Sequence, residues 1–70
     1  MSIATLIRSS VLDDRWKVFA NVREYPQDFI EISRRAGVSP TAAASQLTLL
    51  AEDGLVILHS FEADEWILAS

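Results

Sequence analysis

The stretch Ile32-Ser33-Arg34-Arg35-Ala36-Gly37-Val38-Ser39-Pro40 decides the fold. Phe29, Ile32 and Ala36 recur at three and four residues, which places them on one face of a helix. Glu31, Arg34 and Arg35 fall away from that face. Asp28 suits the cap of this helix, where a side-chain oxygen accepts an otherwise unpaired backbone N–H. Gly37 can take up the left-handed backbone that ends many helices, and the apolar Val38 after it is expected to point inward. Ser39-Pro40 then restarts the helix. Serine is a strong cap, and proline at the first helical position loses nothing, because that N–H has no intrahelical partner. The reading is two helices joined by a three-residue turn.

Toward the carboxyl terminus, the third helix is expected from Pro40 to about Asp53, with Ala43, Leu47, Leu50 and Ala51 as its apolar stripe and Gly54 closing it. The period then changes. Leu55-Val56-Ile57-Leu58-His59-Ser60-Phe61 and Glu65-Trp66-Ile67-Leu68-Ala69 are rich in β-branched and aromatic residues, which predicts two strands. Glu62-Ala63-Asp64 connects them without the Asn-Gly signal of a tight turn, so a hairpin is expected with its register open.

Toward the amino terminus, Leu12, Trp16, Phe19 and Ala20 recur at helical spacing, widened by Val11, Val18 and Val22. Ser10 and Asp13 form a capping-box variant at the start. Tyr25-Pro26 marks the stop, because the residue before proline is pushed out of the α region. The first helix is therefore expected over residues 11–24, with Trp16 in the core. Ile3, Leu6 and Ile7 suggest a short helix or docked arm over residues 1–9. The whole chain, residues 1–70, reads as one domain, mainly α with a small β-hairpin: three helices followed by two strands.

Composition bounds the function. The 70 residues are 50% hydrophobic and 23% charged, a globular balance. Cysteine is absent, which excludes disulfides, thiolate metal sites and a cysteine nucleophile. No apolar run approaches the ~20 residues of a membrane span. No Lys or Arg precedes the Ile3 cluster, so a secretory signal is not read there, and a cytoplasmic location is the expectation.

Candidate chemistry is sparse. Asp13-Asp14 reads as a favourable helix start rather than a carboxylate pair. His59, the single histidine, has no partner nearby in sequence and reads as a structural or surface residue. Trp66 reads as core, although one face of a two-stranded hairpin can stay open. With no Gly-rich phosphate loop either, no enzyme activity, metal or other cofactor is expected.

At this point the chain resembles winged helix-turn-helix regulators of the ArsR and MarR type. Ile32 to Pro40 is similar to their second helix and turn. Leu47-Thr48-Leu49-Leu50-Ala51-Glu52-Asp53-Gly54-Leu55-Val56 is similar to the end of their third helix leading into the wing. Leu12-Asp13-Asp14-Arg15-Trp16-Lys17-Val18-Phe19 fits their first helix in the same register. The resemblance covers roughly residues 12–68. It implies a DNA-binding transcriptional regulator, dimeric, whose third helix contacts base edges through Thr41, Ala42, Ser45, Gln46 and Thr48. Arg34 and Arg35 would then meet phosphates from the helix before it.

Charge placement points elsewhere. All six cations (Arg8, Arg15, Lys17, Arg23, Arg34 and Arg35) lie in residues 1–35, against five acids there. Residues 36–70 hold five acids and no Lys or Arg. Affinity for duplex DNA comes largely from cations that neutralise phosphates. A reading helix without cations, followed by a wing bearing Glu62, Asp64 and Glu65, opposes that contact. The stronger expectation is a non-enzymatic regulator that binds a protein partner with a basic surface. Thr41, Ala42, Ser45, Gln46 and Leu49 would form the small, nearly uncharged patch of contact, with Glu62, Asp64 and Glu65 beside it. An inhibitor of nucleic-acid machinery, as in phage-encoded anti-CRISPR proteins, would suit that description by analogy. A DNA-binding homodimer is the alternative.

Overall fold

The computed structural model describes residues 13–69. The arm around Ile3, Leu6 and Ile7, Arg8, the cap at Ser10, and Val11 and Leu12 of the first stripe lie outside the described residues. The elements run α1 (residues 13–20), β1 (Gln27–Asp28), α2 (Phe29–Ala36), α3 (Pro40–Glu52), β2 (Val56–Ser60) and β3 (Glu65–Leu68). The described chain is therefore mainly helical with a small antiparallel sheet.

The first helix ends at residue 20, four residues before the expected stop. Its last four carbonyls, which no further turn would satisfy, all find donors. Asn21 donates its side-chain amide to Lys17 O at 2.8 Å and its backbone N–H to Val18 O at 3.0 Å. Val22 N–H reaches Phe19 O at 3.2 Å, and the Arg23 guanidinium reaches Ala20 O at 3.0 Å. Beyond the helix Arg23 O accepts Leu68 N–H at 2.9 Å, which ties the segment before Pro26 to the chain near the carboxyl terminus.

The turn between α2 and α3 is built as expected. Asp28 caps α2 by accepting Glu31 N–H at 2.8 Å. At its other end Gly37 stands at φ 71°, Gly37 N–H donates to Arg34 O and Val38 N–H to Ser33 O, the paired bonds of a Schellman stop. Ser39 Oγ accepts Ala42 N–H at 3.1 Å, and Pro40 opens α3. Gly54 repeats the same stop at φ 76°, with Leu55 N–H on Leu50 O at 2.9 Å.

Among the described residues the sheet has three strands, not two. Its order is β1-β3-β2, all antiparallel, with Gln27 opposite Trp66 and Asp28 opposite Glu65. Two residues after a proline give no periodicity to read. Asp28 can belong to both elements because the extended backbone of a helix cap, here φ −71° and ψ 157°, is also strand backbone. Between β2 and β3 the register runs Val56–Leu68, Ile57–Ile67 and Leu58–Trp66. It then slips to Ser60–Glu65, leaving His59 as an extra residue in a bulge. The connection is the four residues 61–64 rather than three.

The core lies where α1, α2 and α3 meet the sheet. Val18, Val22, Ile32, Ala36, Ala43, Leu47, Leu50, Val56 and Trp66 are buried, with Phe19, Phe29, Val38, Ala51 and Leu68 packed against them. Trp66 is thus a core residue. Trp16 is not: it stands 70% exposed, and Ala20 is exposed too. The buried residues here are Val18 of α1 and Val22 just past its end, at the widened edge of the expected stripe rather than on its Trp16/Ala20 line. Trp16 instead borders a surface pocket with Arg15, Phe19, Leu50 and Leu55.

Candidate partner-binding surface

The outer face of α3 follows from its buried one. Ala43, Leu47 and Leu50 turn inward, so Thr41, Ser45 and Thr48, at i, i+4 and i+7, fall opposite them and are exposed. Leu49 flanks this line and is exposed, while Ala42 and Ala44 are half-buried on either side. Gln46 does not belong to the surface. It lies three residues after Ala43 and four before Leu50, on the buried face, and retains only 6% of its exposure. Its Oε1 has no hydrogen-bond partner. The expected contact between Gln46 and a base or partner is therefore corrected by helical phase.

Phe29, at the start of α2, closes one side of this face. Together with Thr41, Ala44, Ser45, Thr48 and Leu49 it lines a shallow open groove. Thr48, which the family resemblance implied as a contact, does line the groove, whereas Ala44 and Phe29 were missed by sequence reasoning. Taking the point opposite Ala43, Leu47 and Leu50 would have found Ala44; Phe29 reaches the groove only through tertiary packing.

The acidic turn adjoins the groove through the same residue. Phe29 N–H donates to Asp64 O at 3.2 Å, so the start of α2 and the end of the turn are tied together. Asp64 is not a free carboxylate: its Oδ1 accepts Trp66 Nε1–H at 2.8 Å, and its backbone is left-handed at φ 52°. Glu65 is half-buried in β3, between Asp28 and Ser60. Glu62 alone of the three expected acids is fully presented to solvent. Ser60 Oγ, accepting Ala63 N–H at 3.2 Å, shapes the turn, and Phe61 at its tip is 87% exposed.

The cations are mostly engaged. Arg15 pairs with Asp53 at 2.5 Å across α1 and α3. Arg35 donates to Gln27 Oε1 at 2.5 Å and stands 3.8 Å from Glu31. Arg34 is also 3.8 Å from Glu31 but is itself largely solvent-exposed. His59 is exposed in the bulge, and among the described residues no cluster of three or more His, Asp or Glu is placed to hold a metal. No helix of the described residues is long and apolar enough to cross a membrane.

Comparison with family models, with curated proteins and with solved structures gives no match for this chain.

Proposed function

We propose that this chain is a non-enzymatic, cytoplasmic regulator on a winged helix-turn-helix scaffold. It acts by binding a protein partner with a basic surface through the outer face of α3 and the acidic turn. The element order and the β1-β3-β2 sheet support the scaffold reading. The observation that carries the function is charge. The groove lined by Phe29, Thr41, Ser45 and Thr48 contains no cation, and Asp28, Asp64 and Glu65 adjoin its Phe29 side, with Glu62 in the same turn as Asp64. Neutralising a phosphate, which releases its counterions, takes a positive group, and each phosphate neutralised contributes about 0.9 to the salt slope of DNA affinity. This surface would release none. Opposite charge on a partner gives the complementary case, steering encounter and fixing register.

A second reading, a DNA-binding dimer, draws on Arg34. It is 75% exposed in the last turn of α2, the helix that precedes α3. One titration separates the two. Duplex DNA added at low salt should not bind at micromolar protein, whereas a Lys/Arg-rich helical peptide should bind, and Glu62→Lys should slow its association. Micromolar DNA binding that falls steeply with salt and weakens in Arg34→Ala or Arg35→Ala would instead establish the DNA reading.

A further inference from the structure

Among the described residues the sheet order leaves β2 with one side unpaired, at the opposite edge from β1. Hydrogen-bond directions show which groups it offers. Ala69 N–H donates to Leu55 O at 3.1 Å, while Leu68 N–H turns away from β2 to reach Arg23 O. Successive residues of an antiparallel ladder address opposite neighbours. Leu55 and Ile57 therefore address β3. Val56 and Leu58, opposite Leu68 and Trp66, turn their own N–H and C=O outward. Native sheets usually blunt such an edge with lysine, proline, inward charge or a bulge. Here β2 is short and ends in the bulge at His59, which sets the limit of the regular stretch at Leu58, but no lysine, proline or charged side chain guards that stretch. What remains is Val56-Ile57-Leu58, straight and uncharged, with Ile57 51% and Leu58 37% exposed.

We propose that a second copy of this chain pairs at this edge, β2 against β2, antiparallel about a two-fold axis through Ile57. The regular stretch is symmetric about that residue, which is what an isologous contact requires. Val56 of each copy exchanges both backbone bonds with Leu58 of the other, giving four hydrogen bonds. The two Ile57 side chains then meet at the non-hydrogen-bonded position, where side chains approach most closely. Charge selects the occupant. The chain carries a net charge of −4, so copies repel except where their surfaces are neutral. No Asp, Glu, Lys or Arg occurs between Leu55 and Phe61, and the pairing sets Leu55 against His59, so no carboxylate faces another. The groove at Phe29 lies toward the other edge of the sheet and stays open. The dimer therefore does not depend on the partner reading above.

The absence of cysteine makes the contact testable with single thiols. The Cα atoms of a non-hydrogen-bonded pair lie about 4.5 Å apart, within the ~4.4–6.8 Å a disulfide spans. Under mild oxidation Ile57→Cys should convert to a disulfide-linked dimer. Phe61→Cys, although at a more exposed position, should stay largely monomeric over the same time. In sedimentation the wild-type chain should run as a dimer, and Ile57→Lys as a folded monomer with unchanged far-UV circular dichroism. A wild-type monomer up to millimolar concentration would overturn the proposal. So would cross-linking of Phe61→Cys as fast as Ile57→Cys, or a dimer that survives Ile57→Lys. Should Ile57→Lys fail to fold, the relative cross-linking rates decide.

Discussion

The indole Nε1–H of Trp66 donates to Oδ1 of Asp64 two residues earlier, at 2.8 Å, and this bond joins the core to the tip of the hairpin. Trp66 is buried among Val18, Ile32 and Leu47, while Asp64 holds the last, left-handed position of the turn. An acid that looks like surface charge in the sequence is thus a structural acceptor.

Replacing Asp64 with Ala should cost about 2 kcal/mol, from an unpaired indole N–H and from losing the short polar side chain that lets aspartate tolerate the left-handed backbone. Asp64→Asn keeps an acceptor and tolerates that backbone, so it should lose well under half as much. Urea unfolding of the two variants checks this. Equal losses would show that the bond contributes nothing.

Gln46 offers the opposite sign. Its Oε1 is buried without a partner, and removing a buried unpaired polar group relieves a desolvation cost of order 1 kcal/mol. Gln46→Leu should raise the urea midpoint while leaving the α3 surface unaltered. A lower midpoint would mean that the amide is satisfied in solution.

The two tryptophans should respond unequally to truncation. Trp66→Ala empties a core position and should cost roughly 3–5 kcal/mol, enough to unfold much of a small domain. Trp16→Ala, at a position 70% exposed, should cost less than about 1 kcal/mol. Acrylamide should quench Trp16 and spare Trp66, which Trp16→Phe makes visible as a loss of the quenchable emission.

Gly37→Ala tests the turn that organises α2 and α3. No atom lies within 4 Å of the added Cβ, so the penalty is purely conformational, at φ 71°. It should be about 1–2 kcal/mol in thermal or urea unfolding. A neutral result would imply that the turn adopts another backbone in solution.

Local chemistry written into the sequence determined the second and third helices. Asp28, Gly37, Ser39-Pro40 and Gly54 act on backbone groups within five residues of themselves, so their effect does not depend on the rest of the fold. The apolar stripe Ala43, Leu47 and Leu50 and the strands around Val56 and Trp66 follow from periodicity for the same reason. Four features were decided only by tertiary structure. The path of the chain after α1 includes a bond from Leu68 back to Arg23, 45 residues away by number. The strand at Gln27–Asp28 exists because β3 is there to pair with it. The burial of Val18 rather than Trp16 was settled by the space that α2 and α3 leave, and the meeting of Phe29 with the face of α3 by how those helices cross. Caps and turns are satisfied by near neighbours; long-range pairing and the choice of buried face are satisfied only once the elements have packed.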